Sequence, residues 1–328
     1  MNTLVDTYGR IHRNLRVSLT DRCNLRCTYC MPNDFAAWLP SEHQLTTDEL
    51  VRVIEIAVSE GINEVRLTGG EPLLRPDIVE IVSRINAITN APTLTMTTNA
   101  LTLEKVAKPL VDAGLTRINI SLDTLDRDRF KLMTHRDRID DVFAGIKAAQ
   151  DAGIDPIKIN AVLLKGVNAD EAPALLEWAL ANNLALRFIE QMPLDAGGIW
   201  ERSSLVTADD IYADLSTRYE LTPCNGRGSS PAEEFFVNGG PATVGIIGSV
   251  TRPFCGACDR LRLTSDGQLR SCLFSLEEMD LRTAMRNGAS DEDIAARFRK
   301  TVAGKLPGHG INDPKFIQPQ RPMSAIGG

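Results

Sequence analysis

The sequence predicts an α/β protein, an open partial (β/α)6 barrel of the TIM-like kind followed by a smaller C-terminal region. From Asn14 to about Pro193, six short β-type runs alternate with amphipathic helical runs. The alternation breaks after Pro193, where the chain becomes rich in Gly, Pro and Ser. Cysteine triplets occur in both parts. We therefore expect two regions, residues 1–195 and residues 196–328.

Six runs have the length and composition of β-strands. They are LRVSL (15–19), EVRLT (64–68), TLTMTT (93–98), RINISL (117–122), IKINAVLL (157–164) and LRFIEQ (186–191). Strands that alternate with helices imply right-handed crossovers and a parallel sheet. Six units are too few to close an eight-stranded barrel, and ligands should bind at the C-terminal ends of the strands.

The helices between these strands have recognisable ends. Thr46 and Glu49 fit a capping box at the start of the first helix, and Gly61 follows its end. The runs LEKVAKPLVDAG (103–114) and VFAGIKAAQDAG (142–153) predict two further helices that end at glycine.

The C-terminal region has a different pattern. The run LRLTSDGQLRSCLF (261–274) predicts a hairpin that turns at Asp266 and Gly267. A helical stretch follows near 280–303, and the tail PMSAIGG (322–328) has neither helical nor strand periodicity.

Composition limits the classes of function. The chain has 328 residues, 43% of them hydrophobic, which is enough for a sizeable core. Its net charge of −7 argues against general attraction to nucleic acid or to an anionic membrane. No run approaches the roughly 20 apolar residues of a membrane span, and the first residues lack the apolar centre of a signal peptide. We expect a cytoplasmic protein, in which seven cysteines do not suggest a disulfide framework.

Six of the cysteines form two groups. Cys23, Cys27 and Cys30 have the spacing C-x3-C-x2-C and follow the first strand, whereas Cys255, Cys258 and Cys272 have the spacing C-x2-C-x13-C. Cys224 stands apart and is interpreted as a free thiol.

Two kinds of metal site compete for these triplets. A structural zinc site needs four ligands, and none of the four histidines has a finger-like spacing to either triplet. An iron–sulfur cluster is held by thiolates, and a four-iron cluster with three cysteines keeps one iron open to another ligand. The residues favour the cluster and leave zinc as the alternative.

A glycine pair ends the second strand. Gly69 and Gly70, followed by Pro72, allow a ligand to approach the backbone closely. With the first cysteine triplet on the same rim of the barrel, this GGEP segment makes the chain resemble the radical S-adenosylmethionine (SAM) enzymes. The resemblance implies that SAM binds the open iron, and that its cleavage yields a 5′-deoxyadenosyl radical. It also implies that SAM contacts Tyr29, Gly70, Ser121 and Met192.

Four features together are similar to the GTP 3′,8-cyclases of molybdenum cofactor biosynthesis: SLTDRCNLRCTYCMP (18–32), RLTGGEPLLR (66–75), CGACDRLRLTSDGQLRSCL (255–273) and the terminal Gly327-Gly328. This resemblance implies two [4Fe-4S] clusters with GTP between them. The adenosyl radical would take the ribose 3′ hydrogen, and C3′ would then attack C8 of guanine. Reduction and protonation would give 3′,8-cyclo-7,8-dihydro-GTP.

Basic residues recur at strand positions where a barrel interior would more readily hold aliphatic ones. Arg16, Arg66 and Lys158 lie in three different strands, so that convergence on one anion is favoured over outward salt bridges. Arg260 and Arg262 alternate with leucines and share a face, and their planar forks suit phosphate.

The resemblance completes the set of expected site residues. Thr97 matches a GTP-contacting hydroxyl, although an ordinary strand threonine explains it nearly as well. Gly327 and Gly328 would insert into the active site, where Arg260 and Arg262 act on the cyclising nucleotide. For the glycines the alternative is a disordered tail.

Other functions and partners remain open at this level. The alternatives are a radical SAM maturase with an auxiliary cluster and, in another class, a non-catalytic iron–sulfur or zinc scaffold. An external electron donor is implied by the reaction. A homodimer and hand-off of the product to the cyclic pyranopterin monophosphate synthase are compatible with the resemblance.

Overall fold

Six parallel strands form the centre of the fold, in a computed structural model that describes residues 3–31, 38–195, 197–198 and 200–327. They are β1 (Asn14–Ser18), β2 (Glu64–Thr68), β3 (Thr93–Thr98), β4 (Arg117–Ser121), β5 (Ile157–Val162) and β6 (Ala185–Ile189). Each pairs in parallel with the next along the chain. The predicted strands and their parallel arrangement are confirmed, with ends that differ by at most two residues.

Helices connect these strands. They are α1 (Thr47–Ser59), α2 (Ile78–Asn86), α3 (Ala107–Asp112), α4 (Arg127–Thr134), α5 (Ile139–Asp151) and α6 (Ala172–Ala181). The capping box of α1 is present, because the Thr46 hydroxyl accepts from the Glu49 N–H while the Glu49 carboxylate accepts from the Thr46 N–H.

The predicted helix over 103–114 differs from the structure. It is divided into a 3-10 turn, Leu103–Lys105, and the shorter α3. Val106 between them has φ −128°, outside the helical range. Pro109 accounts for the break, since its ring would clash with the carbonyl of residue 105 in a continuous helix but fits the first turn of α3.

The C-terminal part adds strands to the same sheet. Its elements are α7 (Ala208–Leu215), β7 (Leu221–Pro223), β8 (Glu233–Val237), β9 (Thr243–Ile247), β10 (Arg260–Leu263), β11 (Gln268–Arg270), β12 (Met279–Asp280), α8 (Arg282–Arg286), α9 (Asp291–Ala303) and α10 (Met323–Ile326). The hairpin of β10 and β11 turns at the predicted place, where Gly267 has φ +79°. None of the helices in the described ranges combines the length and apolar character needed to cross a bilayer.

The sheet is open and extends beyond the six central strands. Its order is β12-β11-β10-β1-β2-β3-β4-β5-β6-β9-β8-β7. β10 pairs in parallel with β1, and β9 pairs in parallel with β6. The C-terminal region therefore covers both edges of the partial barrel.

Alternation along the strands separates an apolar face from a polar one. Leu15, Val17 and Val65 are fully buried in the main core together with Val53 and Ile54 of α1. Because successive side chains point to opposite faces of a strand, the residues between them face the barrel interior. Arg16 and Arg66 are among these inward residues.

The tail contains a helical turn that its sequence pattern did not predict. α10 is one turn long, and Ile326 packs with Leu194 and Phe274 in a second, smaller core. Four residues are too few to show periodicity, so only the tertiary contacts define this turn.

Candidate active site between two cysteine triplets

A cavity of about 320 Å³ opens at the C-terminal ends of the parallel strands. Both cysteine triplets line it, and every strand from β1 to β6 contributes at least one side chain. The predicted residues that it brings together are Cys23, Cys27, Cys30, Cys255, Cys258, Cys272, Tyr29, Gly70, Ser121, Met192, Arg16, Arg66, Thr97, Arg260 and Arg262. Residues that are distant in the sequence thus share one enclosure.

The first triplet lies in the loop after β1. The N–H of Cys30 donates to the Cys27 carbonyl at 2.9 Å, and the N–H of Leu25 donates to the Cys23 sulfur at 3.5 Å. Burial raises the pKa of Cys23 to about 11 and that of Cys30 to about 12, and it also raises the pKa of Cys27 well above the ordinary value of a thiol. These thiols keep their protons until a metal displaces them.

The second triplet is brought together by the hairpin. Cys255 and Cys258 flank a 3-10 turn before β10, and Cys272 follows β11 on the return strand. Burial and the neighbouring charges of Cys272 and Cys258 raise the pKa of Cys255. Burial also acts to raise the pKa of Cys258, but the positive charges of Lys305 and Arg260 outweigh it and lower that pKa.

The donor set fits iron–sulfur clusters. Across the described ranges, no three His, Cys, Asp or Glu side chains surround the position of a single metal ion. A cluster makes a different demand, because its thiolates bind separate iron atoms. The three cysteines of each triplet line the cavity and supply the soft ligands that such clusters need.

The GGEP segment packs directly on the loop that leads to the first triplet. The N–H of Gly70 donates to the Thr20 carbonyl, and that of Glu71 donates to the Arg22 carbonyl, both at 2.7 Å. A Cβ atom on Gly70 would lie 2.3 Å from the Arg22 oxygen. Glycine is required here by the neighbouring backbone, and the same residue lines the cavity.

The side chain of Glu71 links this segment to β3 and to the cysteine loop. It accepts hydrogen bonds from the Thr98 hydroxyl at 2.6 Å and from the N–H groups of Asn99 at 2.8 Å and Leu73 at 3.0 Å. Asn99 in turn donates to the Cys23 sulfur at 3.8 Å. Burial outweighs these bonds and raises the pKa of Glu71 to about 7. A role for this carboxylate was not predicted from the sequence.

Tyr29 is held from across the barrel. Its hydroxyl donates to the Asp123 carboxylate at 2.7 Å, and the other carboxylate oxygen accepts from the Val162 N–H at 2.8 Å. Burial raises the pKa of Asp123 to about 6. Asp123 was not predicted from the sequence, where the only signal for it is its position two residues after Ser121.

Arginines from three adjacent strands stand side by side. Arg16 is in register with Arg66 on one side and with Arg262 on the other. Within the described residues, the buried Nε atoms of Arg16 and Arg66 have no hydrogen-bond partner. Burial, and then the charges of Arg262 and Arg260, lower the pKa of Arg16, while burial lowers that of Arg262 to about 10. Such a concentration of positive charge needs an anion.

Arg260 is fixed by its surroundings at the cavity wall. Its guanidinium lies 4.9 Å from the ring centroid of Phe254 and donates to the Ser229 carbonyl at 2.8 Å. Stacking on an aromatic face orients the planar group without removing its charge.

The cations of β5 and β6 differ in their position relative to the cavity. Lys158, near the start of β5, does not line the cavity, whereas Asn160 at the next inward position does. Asn160 is in register with Arg187, which also lines the cavity and pairs with Glu234 at 2.8 Å. Arg187 was missed, although the alternation in LRFIEQ carries the same signal that identified Arg16.

The tail reaches the ends of β1 and β2. The Gly327 carbonyl accepts a hydrogen bond from Arg262. Gly327 has φ +91°, and a Cβ atom on it would lie 2.6 Å from the Thr68 hydroxyl and 2.9 Å from Cβ of Ser18. Gly328 lies outside the described residues.

Two family models match successive parts of the chain. Residues 17–179 match the radical SAM superfamily, and residues 184–311 match the Molybdenum Cofactor Synthesis C family. The protein named GTP 3′,8-cyclase from Streptomyces coelicolor is 57% identical, over 100% of this chain and 97% of the relative. The protein of the same name from Mycolicibacterium smegmatis is 53% identical, over 99% of this chain and 92% of the relative.

Solved structures share the fold. Streptococcus suis SuiB superimposes with a TM-score of 0.63 at 14% identity, over 96% of this chain and 77% of SuiB. A second structure of SuiB, bound to the precursor peptide SuiA, gives the same TM-score at 15% identity, over 96% of this chain and 76% of SuiB. At this identity the likeness concerns the fold alone.

Proposed function

The chain belongs to the radical SAM superfamily and, within it, to the GTP 3′,8-cyclases, and from this premise we propose that it converts GTP to 3′,8-cyclo-7,8-dihydro-GTP. That reaction is the first step of molybdopterin biosynthesis. The observation that carries the proposal is one cavity that is lined by both cysteine triplets and by several arginines.

The cofactors of this family are SAM and [4Fe-4S] clusters. We propose that Cys23, Cys27 and Cys30 hold the cluster that binds SAM, and that Cys255, Cys258 and Cys272 hold the second. When bound, the first cluster and SAM supply the 5′-deoxyadenosyl radical that takes the ribose 3′ hydrogen. The protein contributes binding, orientation and exclusion of water.

Residues around the first triplet would orient SAM. Tyr29, Gly70, Ser121 and Met192 all line the cavity. Asp123 fixes the Tyr29 hydroxyl, so that the ring has a defined position on which SAM can pack.

The arginines would hold the triphosphate and place the nucleotide between the clusters. Arg16 and Arg66 offer unpartnered Nε donors, and planar guanidinium groups bind phosphate through paired hydrogen bonds. We add Arg187 to the expected GTP ligands Arg16, Arg66, Thr97, Lys158, Arg260 and Arg262. Lys158 would act from the floor of the barrel as a longer-range charge. An arginine-lined cavity favours a nucleotide over the peptide substrate of a maturase.

Arg260, Arg262, Gly327 and Gly328 would act nearest to the reacting nucleotide. Arg262 binds the tail carbonyl at Gly327, which couples the position of the tail to that of the arginine pair. In this arrangement the tail closes the cavity beside the substrate, and the arginines stabilise the charge that develops as the ring is reduced and protonated.

The remaining assignments extend the proposal to the whole chain. Residues 1–195 would form the SAM-binding part and residues 196–328 the part with the second cluster. An external one-electron donor would reduce the first cluster, and the product would pass to the cyclic pyranopterin monophosphate synthase. The cytoplasm, which keeps thiols reduced, suits clusters that are held by cysteines. A homodimer stays a prediction.

Anaerobic reconstitution tests the proposal. We expect about eight irons per chain, given two four-iron clusters, and 5′-deoxyadenosine that forms with SAM and reductant only when GTP is present. The variant Cys255→Ala should keep about four irons and yield no cyclised product. One or two zinc ions per chain, with no SAM cleavage, would overturn the proposal.

A further inference from the structure

Lys305 is a buried cation behind the second cysteine triplet. It follows α9, and only 4% of its surface is exposed. Its Nζ donates to the Arg260 carbonyl at 2.6 Å and to the Cys258 sulfur at 3.7 Å. In the ranges that the structure describes, no carboxylate forms an ion pair with Lys305. A buried ammonium without an anionic partner is costly, so its surroundings must supply negative charge.

The position of Lys305 separates it from the substrate. Arg260 and Arg262 line the cavity, but Lys305 does not. Its contacts are with the Cys258 sulfur and the Arg260 carbonyl, and it does not face the cavity. The negative charge that it faces belongs to the cysteine sulfurs rather than to a phosphate.

The segment after Lys305 is fastened to the same turn. The Arg10 guanidinium donates to the Cys255 carbonyl at 2.8 Å, to the Leu306 carbonyl at 2.7 Å and to the Pro307 carbonyl at 3.1 Å. Arg10 is itself paired with Asp6 at 2.5 Å. The charge of Arg10 is thus compensated by Asp6, whereas no carboxylate in the described part of the chain compensates the charge of Lys305. The hydrogen bonds of Arg10 hold the lysine in place beside Cys258.

We propose that Lys305 is a positioning residue of the second cluster: its ammonium group donates to the Cys258 thiolate and raises the reduction potential of that cluster. The inference rests on the proposed function, because it assumes a four-iron cluster on Cys255, Cys258 and Cys272. Reduction adds one negative charge to the cluster, and a nearby positive charge stabilises this form more than the oxidised one. Net charge and hydrogen bonds to sulfur set the potentials of such clusters.

Four variants of the full chain test this role. Lys305→Met removes the charge and the donor, and Lys305→Gln removes only the charge. Lys305→Arg keeps the charge, and Lys300→Met, which removes an exposed lysine of the preceding helix α9, is the matched control. Each reconstituted holoenzyme is titrated with reductant under electron paramagnetic resonance, with SAM added to mark the signal of the first cluster.

We expect the Met and Gln variants to shift the potential of the second cluster to more negative values. The shift should correspond to at least a tenfold change in the ratio of reduced to oxidised cluster, or about 59 mV for one electron. The Arg variant and the Lys300 control should keep the wild-type potential. Loss of the second cluster in the Met and Gln variants, with retention in the Arg variant, would equally support a role of the charge.

Two results would overturn the inference. One is an unchanged potential in the Met and Gln variants, and the other is an equal shift in the Arg variant, which would indicate packing alone. The readout does not use GTP turnover. A wild-type chain with only about four irons would overturn the proposed function as well, whereas about eight irons with an unshifted potential would overturn this inference alone.

Discussion

Gly70 illustrates how a single residue sets the geometry of the site. Its missing Cβ lets the GGEP segment hydrogen-bond to the loop that precedes Cys23. We predict that Gly70→Ala slows SAM cleavage by about 100-fold, because an added Cβ 2.3 Å from the Arg22 oxygen must displace one of the two loops. The measurement is 5′-deoxyadenosine formation at equal iron content.

Gly304→Ala is the matched control. A Cβ atom there would make only ordinary contacts, at 3.6 and 3.8 Å. Wild-type cleavage by the Gly70 variant would show that the two loops do not need their close approach.

Glu71 predicts a pH dependence of stability. Its pKa rises from 4.5 to about 7 on folding, so that the folded chain binds a proton which the unfolded chain has released between these values. The free energy of unfolding therefore falls as pH rises through this window. Between pH 5.5 and pH 7.5, we expect the free energy of unfolding of the Glu71→Gln variant to fall by about 2 kcal/mol less than that of the wild type.

Anaerobic denaturant unfolding at the two pH values measures this difference. Because each protein is compared with itself, any cost of the substitution cancels. Equal losses in the two proteins would mean that Glu71 does not hold its proton in the fold.

At the scale of single residues, the sequence predicted the site residues whose chemistry is unusual for their position in the fold. Thiolate triplets and arginines within strands are such cases, because burial makes them costly without a ligand. Glu71 and Asp123 were missed because their partners, Asn99 and Val162, are distant along the chain. Lys158, like Arg16, is a basic residue at a strand position that would more readily hold an aliphatic one. It lies too near the start of its strand to line the cavity.

At the scale of elements, the tail is the segment for which we propose a direct role in the active site. We predict that deletion of Gly327 and Gly328 leaves both clusters in place and lowers GTP turnover at least about 100-fold, because Arg262 loses the carbonyl that fixes its position. Iron content and product formation are measured on the same preparation.

Gly327→Ala should have the same effect, since its Cβ would collide with the Thr68 hydroxyl. Gly310→Ala serves as the control, because Gly310 also has a positive φ, +69°, but has open space around its Cβ position. Normal turnover by the truncated chain would exclude a role for the tail in the active site.

Elements with a long, regular pattern were predictable. The alternation of strands and helices predicted β1 to β6 and their parallel order. The capping box predicted where α1 begins. The helix predicted at α3 was too long because Pro109 was taken as part of a continuous helical run. The helix α10 was not predicted because its single turn is held by tertiary packing with Leu194.

At the scale of the whole molecule, both regions contribute strands to one sheet in the part of the chain that the structure describes. β10 pairs with β1 and β9 with β6, so that a fragment of residues 1–195 would expose both edges of the central strands. Unpaired edges invite association between chains. We predict that this fragment aggregates, as measured by size-exclusion chromatography, while the full chain does not. A monodisperse fragment with cooperative unfolding would contradict this.

The sequence could predict the barrel but not how the C-terminal strands join it. Neighbouring strands along the chain follow from local pattern, whereas the pairing of residues 14–17 with residues 260–263 depends on contacts far apart in sequence. The cavity between the triplets follows from this pairing, which carries Arg262 to the side of Arg16.

In the proposed reaction, the cavity brings the ribose of GTP to the radical formed from SAM. This is tested most directly with GTP that carries deuterium at the ribose 3′ carbon, incubated with the reconstituted chain, SAM and reductant. Mass spectrometry should find the deuterium in 5′-deoxyadenosine. Unlabelled 5′-deoxyadenosine, formed to the same extent with and without GTP, would contradict the account.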